Sequence, residues 1–222
     1  MKNILLLGAT GSIGKSVLSV INENKSKLNL FGISLNNNLN IANKIIDDFN
    51  PSFVYIEDKD TFDNQKESKE IIYLNGDEEL KGLINHQDVD IIISAISGFA
   101  GLKATHLAAS SGKKILLANK ESIVAGGDLI LPLAKENNSE IIPIDSEHNA
   151  IFQCLSGEKG VEDVQSVTIT ASGGPFINKK LSDLKNVRKS DALNHPNWKM
   201  GSKISIDSAT LVNKCLELIE AK

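Results

Sequence analysis

Short apolar runs alternate along the chain with stretches whose apolar residues recur every three or four positions. Residues 4–7 form the first run, and Val17, Leu18 and Ile21 follow at helical spacing. Residues 30–34 predict a second strand. Ile41, Ile45, Ile46 and Phe49 predict a helical face ended by Pro51. Further strands are expected at 53–56, 71–74, 89–94, 114–117 and 140–144, with helices over 101–111 and 122–136. Runs this apolar must be covered on both faces, and their alternation with helices predicts βαβ units. The fold class expected is α/β, a Rossmann-like doubly wound parallel sheet over residues 1–144.

Past residue 144 the texture changes. A β-branched run at 164–170 predicts a strand, 172–175 (Ser-Gly-Gly-Pro) a turn, 195–202 a polar glycine-containing loop, and a final helix begins near Ser208. We read 145–222 as the start of an α+β catalytic, substrate- and metal-binding domain. Its last helix ends Leu218-Ile219-Glu220-Ala221-Lys222 with no Gly or Asn cap, so the polypeptide is expected to continue. The asparagines at 36–38 and 40 predict a loop.

The 222 residues are 41% hydrophobic and 23% charged, an ordinary globular balance. A net charge of −4 without a basic block argues against nucleic acid as partner, so a phosphate-bearing ligand must be held by local N–H groups and single Lys or Ser side chains. Two cysteines, Cys154 and Cys215, make no disulfide framework, and their apolar helical settings predict buried thiols. No run is long enough for a membrane span, and the N-terminus enters a strand directly. The cytoplasm is the expected location.

The first apolar run leads into Gly8-Ala9-Thr10-Gly11-Ser12-Ile13-Gly14, spaced G-x-x-G-x-x-G. Glycines let the backbone approach a pyrophosphate, the following helix offers unpaired N–H groups, and Thr10 and Ser12 add hydroxyls. The second strand ends in Ser34-Leu35-Asn36-Asn37-Asn38 without the carboxylate usual for NAD, which favours NADP. Asp145 and Glu147 share a face if the extended backbone persists through them. Two anions that close need a cation or a proton between them, and Mg²⁺ or Mn²⁺ suits oxygen ligands. A polar loop or an N-cap is the alternative reading. Lys120, in Ala118-Asn119-Lys120-Glu121-Ser122, is placed at the carboxyl edge of the sheet, to hold a phosphate or polarise a carbonyl, or else stands exposed at a helix start. Asn213, Lys214 and Glu217 share a helical face, with Ser208 at that helix's start, where an anion can bind.

Six segments together resemble the 1-deoxy-D-xylulose 5-phosphate reductoisomerase family: the glycine turn, 118–122, 145–153, 171–176, 195–201 and 207–217. The turn alone is unspecific, whereas the other five in this order and spacing are specific. The resemblance implies NADPH- and metal-dependent isomerisation and reduction of a linear ketose phosphate to 2-C-methyl-D-erythritol 4-phosphate, a step of non-mevalonate isoprenoid biosynthesis. It implies Asp145, Glu147 and Glu217 as ligands of Mn²⁺ or Mg²⁺ (Co²⁺ also fits), and Ser172, Ser208, Asn213 and Lys214 at the substrate phosphate. Lys120, Ser146, Glu147 and His195 would surround the reacting oxygens, with Lys120, Glu147 and His195 as catalytic residues and Glu217 also at the substrate. Gly8, Thr10, Gly11, Ser12, Ile13, Asn38, Asn119, Glu121 and Gly201 match cofactor contacts. Trp198 and Met200 match a mobile loop, and the full-length enzyme is expected to be a homodimer. Asn37 stands where some members carry a basic residue, and members continue well past Glu217. Two rival readings are an NADP-dependent aldehyde dehydrogenase, which needs a thiolate, and a nucleotide-binding remnant without turnover.

Overall fold

Four consecutive residues of the first strand, Ile4 to Leu7, are at most 3% exposed, which is what a central strand covered on both faces requires. The computed structural model describes residues 1–65, 70–156, 164–196 and 200–222. Its strands are β1 (Lys2–Leu7), β2 (Leu28–Leu35), β3 (Phe53–Ile56), β4 (Ile72–Leu74), β5 (Ile91–Ser94), β6 (Lys114–Leu117) and β7 (Glu140–Pro143). They form one parallel sheet in the order β4-β3-β2-β1-β5-β6-β7. Between them run α1 (Ser12–Glu23), α2 (Leu39–Phe49), α3 (Lys59–Asp63), α4 (Asp77–Ile84), α5 (Leu102–Ala109) and α6 (Lys120–Glu136). The expected doubly wound α/β class is therefore the observed one.

Side-chain alternation sorts the strands between two cores. Ile4, Leu6, Val54, Ile56 and Ile93 join Leu18 and Ile21 of α1 and Ala42 and Ile45 of α2. Leu5, Leu7, Tyr55 and Ile92 join Leu80, Leu83 and Ile84 of α4 and Ala104 and Ala108 of α5. In β2 the phase switches midway. Ile4 pairs with Leu30 but Leu5 pairs with Gly32, so Phe31 is an inserted bulge residue. The insertion sends Phe31 to one core and keeps Leu30, Ile33 and Leu35 in the other.

Two compact units are distinguished, Met1–Asp145 and Ser146–Lys222. The second contains α7 (Ser146–Leu155), a 3-10 segment Leu181–Asn186, α8 (Lys189–Leu193), α9 (Ser202–Ala209) and α10 (Val212–Ala221). Three expectations fail there. Residues 164–170 form no strand, because a strand exists only by pairing and no described segment pairs with them. The turn at 172–175 moves to 175–178, with Gly173 and Gly174 at φ +83° and +66° ahead of it. The final helix is two helices, broken at Leu211, whose φ of +60° no helix can contain. Among the described residues no helix is long and apolar enough to cross a membrane.

Ile92 is fully buried in the sheet's centre, so Ile92→Ala should cost about 3 kcal/mol. For a unit of this size that lowers the melting temperature by roughly 6–12 °C. Val20→Ala, at an exposed site, should change stability by less than about 0.5 kcal/mol, and calorimetry of both variants checks the contrast.

Candidate functional site

The sheet reverses its winding between β1 and β5, and the loops leaving those two strands face each other there. Gly8 turns the chain out of β1 at φ +89°. A Cβ on it would lie 2.7 Å from the Ala95 carbonyl carbon in the loop after β5. Gly14 is needed for contact, since its Cβ would lie 2.6 Å from the Ala9 carbonyl carbon and 2.8 Å from the Gly8 oxygen. Gly11 is the N-cap of α1, with no side-chain capping bond and no acidic residue in the first turn. The first N–H groups of α1, from Ser12 to Gly14, therefore point out of the helix end as anion donors beside Thr10. Asn38, at the end of the neighbouring loop, accepts from the Ile41 N–H at 3.2 Å and so caps α2.

At the next strand end, Asn119 caps α6 and places Lys120 and Glu121 on its first turn. Lys120 is not the exposed lysine that its position at a helix start allows. It is 6% exposed, and its Nζ lies 2.6 Å from Asp145 Oδ2. Asp145 closes this unit just after β7, where Ile144 N–H donates to Leu117 O at 2.8 Å. The extended backbone does not persist to Glu147, because α7 starts at Ser146 and the chain curls as soon as the ladder stops.

In the second unit α7 and α10 bring Glu147 and Glu217 together, with carboxylate oxygens within 4.8 Å. Lys214 Nζ bridges them, donating to Glu147 Oε1 and, at 2.5 Å, to Glu217 Oε2. Asn213 Nδ2 donates to Glu217 Oε1 at 2.6 Å. Glu217 is fully buried, so the Lys214–Glu217 pair is no surface ornament. Partial burial pulls the Lys214 pKa down, but the bonds to Glu147 and Glu217 and their charges outweigh it and hold the ammonium above its ordinary value. An all-oxygen pair around one compact cation is a donor set that also suits a hard divalent ion.

Ser172 Oγ lies 3.0 Å from His195 Nε2, and the His195 side chain is buried. Gly174 packs against the Ser208 carbonyl, 2.9 Å from where its Cβ would stand. That puts Ser208 in the last turn of α9, not at a helix start, because the αL residue Leu211 separates the two helices. The helix start expected at Ser208 is instead at Val212. Gly201 is the N-cap of α9. Trp198 lies outside the described residues, and Met200 is in the short stretch before Gly201. Cys154 and Cys215 are exposed, against expectation, since α7 and α10 turn their polar sides inward around the carboxylates.

Two contributors escaped the sequence reading. Ser34 takes the Gly8 N–H on both its carbonyl (3.2 Å) and its hydroxyl (3.0 Å), and its carbonyl also takes the Ala9 N–H at 2.9 Å. The bulge in β2 that aims it leaves no sequence mark. His148 staples α7 to α10, with Nε2 3.0 Å from the Glu217 carbonyl oxygen and Nδ1 3.0 Å from Glu220. Its place directly after Glu147 was the available signal.

Residues 4–127 match the family model described as 1-deoxy-D-xylulose 5-phosphate reductoisomerase, and residues 141–222 match that of its C-terminal domain. Curated reductoisomerases of that name from Vesicomyosocius okutanii and Clostridium tetani are 46% and 48% identical over the whole chain, which spans 58% and 59% of their lengths. A crystal structure of DOX-P reductoisomerase with NADPH, fosmidomycin and magnesium superposes with a TM-score of 0.93 at 40% identity, covering all of this chain and 57% of that one. The Zymomonas mobilis enzyme with NADPH gives 0.86 at 38%, over 99% and 57%.

The Lys120–Asp145 pair has side chains only 7% and 8% exposed. Asp145→Asn should therefore cost about 3 kcal/mol, and adding Lys120→Met should recover most of that loss, as read from urea midpoints.

Proposed function

Because the chain belongs to the 1-deoxy-D-xylulose 5-phosphate reductoisomerase family, we propose that it carries the cofactor- and metal-binding residues of an enzyme converting 1-deoxy-D-xylulose 5-phosphate to 2-C-methyl-D-erythritol 4-phosphate. The observation that carries this reading is the paired carboxylates Glu147 and Glu217 gathered on one cation, on a chain that opens with a glycine turn at the winding reversal. Residues 1–144 form the NADPH domain, and 145–222 begin the catalytic one. Relatives crystallised with NADPH and magnesium support the same cofactors here. The complete enzyme is expected to act as a cytoplasmic homodimer.

In this reading NADPH lies across the turn. The α1 N–H groups, with Gly8, Thr10, Gly11, Ser12 and Ile13, hold its phosphates, and Asn38, Asn119, Glu121 and Gly201 complete the site. Without a carboxylate after β2, nothing repels a 2′-phosphate. Asp145, Glu147 and Glu217 hold a divalent ion, whose charge stabilises oxyanion character on the substrate when bound. Lys120 and Ser146 orient the reacting oxygens, and His195 positions them or moves a proton at its ring nitrogen. Ser172, Ser208, Asn213 and Lys214 anchor the phosphate. That anchor is remote from the reacting carbons, so its binding energy serves orientation.

Lys214 plays two parts in this scheme. In the present structure it neutralises two carboxylates; with a divalent ion held by them, its ammonium would be left to the substrate phosphate. Lys214→Gln should therefore bind Mn²⁺ more tightly than the parent, by roughly tenfold for the loss of one competing charge, while weakening inorganic phosphate binding. Equal or weaker Mn²⁺ binding in calorimetry would contradict the exchange. Glu217→Gln should weaken Mn²⁺ and leave NADPH affinity nearly unchanged.

The direct test follows NADPH oxidation with 1-deoxy-D-xylulose 5-phosphate, with Mn²⁺ and then with chelator, in this chain and in one extended to the length of its relatives. Chelator-sensitive oxidation is expected. NADPH binding without metal-dependent turnover in the extended chain would overturn the catalytic reading in favour of a nucleotide-binding remnant.

A further inference from the structure

Beneath the carboxyl edge of the sheet a buried polar chain links β5, α5, α6 and the loop after β5. Ser94, Thr105 and Ser122 are 0% exposed and Asn119 is 2% exposed. Ser94 Oγ lies 2.7 Å from Thr105 Oγ1, which donates to the Gly101 carbonyl at 2.9 Å. Ser122 Oγ lies 3.2 Å from the same Thr105 oxygen and bonds to Asn119 Oδ1. Asn119 Oδ1 also accepts from the Ser122 N–H at 2.8 Å, and its Nδ2 donates to Ile96 O at 2.5 Å and Gly98 O at 2.9 Å. Both amide hydrogens and both carbonyl lone pairs of Asn119 are thus taken, and flipping the amide would oppose like with like on each side.

Gly101 shows how tightly this is built. Its φ of −77° and ψ of −13° suit any residue, yet a Cβ would lie 2.6 Å from Ile96 O and 2.9 Å from Asn119 Nδ2. The glycine is there for contact with the clamp, not for backbone freedom. The clamped loop is the one whose Ala95 backs Gly8, and the clamped helix start carries Lys120.

We propose that Thr105 and Ser122, acting through the Asn119 amide, are positioning residues that fix the 95–98 loop behind the nucleotide turn and set Lys120 in place. Asn119 then serves the cofactor site by holding its wall, because its own polar atoms are committed inward. This rests on the NADPH reading for the turn, but the clamp itself is open to a separate test.

Four variants of the chain decide it: Thr105→Val, which keeps shape and loses the hydroxyl; Thr105→Ser as the rescue; Gly101→Ala; and Ile115→Val, a fully buried β6 change, as a stability control. Thr105→Val and Gly101→Ala should each speed amide exchange at Ser122 and Gly101, hasten acylation of Lys120, and weaken NADPH binding by about tenfold, the worth of one such bond. Exchange in β1 should not move, Thr105→Ser should return all readouts to the parent value, and Ile115→Val should leave them there. Unchanged Ser122 exchange in Thr105→Val would overturn the clamp. NADPH affinity falling no further than in Ile115→Val would overturn its positioning role. If the parent chain bound no NADPH, the dinucleotide reading would fail, and exchange with Lys120 acylation alone would decide the clamp.

Discussion

Parallel strands end together, and at this sheet's carboxyl edge the chain must leave β1 and β6 without losing its hydrogen bonds. The same device serves both exits. The Ser34 carbonyl of β2 takes the N–H groups of Gly8 and Ala9, and the Ser94 carbonyl of β5 takes those of Ala118 and Asn119 at 2.9 and 3.2 Å. Each doubly accepting serine pins the first two residues past a strand, so the glycine turn and the Asn119-Lys120 corner start from fixed points. Everything placed at the edge inherits its position from these ladders, which are themselves held by the two apolar cores. A buried backbone group left unpaired would be costly, so register at the edge is set with the same stringency as burial in the core.

The two units hold their acidic groups in the same way. Asp145 meets Lys120 in the first unit, and Glu147 and Glu217 meet Lys214 in the second. Buried carboxylates demand a counter-charge, and lysine supplies one on a flexible stem that can withdraw when another cation arrives. A guanidinium fork would bind a carboxylate in two bonds and yield it less readily. The chain's single arginine, Arg188, is placed at the start of α8 and in neither cluster.

The strands and helices of the first unit could be read from periodicity because each is apolar on the faces it buries. All seven of its strands differ from expectation by at most two residues at either end. β1 and β2 both start two residues early, where Lys2 and Asn3 pair with Leu28 and Asn29. What could not be read depended on residues far apart in sequence. Burial of Lys120 follows from Asp145, aim of Ser34 from a bulge at Phe31, and the break before α10 from a leucine in the αL region, where propensity expects Gly or Asn. Chemical identity survived better than conformation. Glu147, Lys214 and Glu217 come together although the extended backbone expected to align Asp145 with Glu147 does not exist.

The contrast between the units bears on how each responds to its ligands. Among the described residues all three buried apolar clusters lie within Met1–Asp145. In Ser146–Lys222 the contacts between α7 and α10 run through Lys214 and His148, while Val167, Leu218 and Ile219 are more than half exposed. Apolar burial is non-directional and carries no net charge, so it depends little on a charge bound at the sheet's edge. Ion pairs and single hydrogen bonds respond to every added charge. Any charge added near Glu147 and Glu217 therefore acts on the very contacts that hold α7 to α10. The glycine turn sits on the apolar sheet, whereas the carboxylates gathered on Lys214 sit where polar contacts carry the packing.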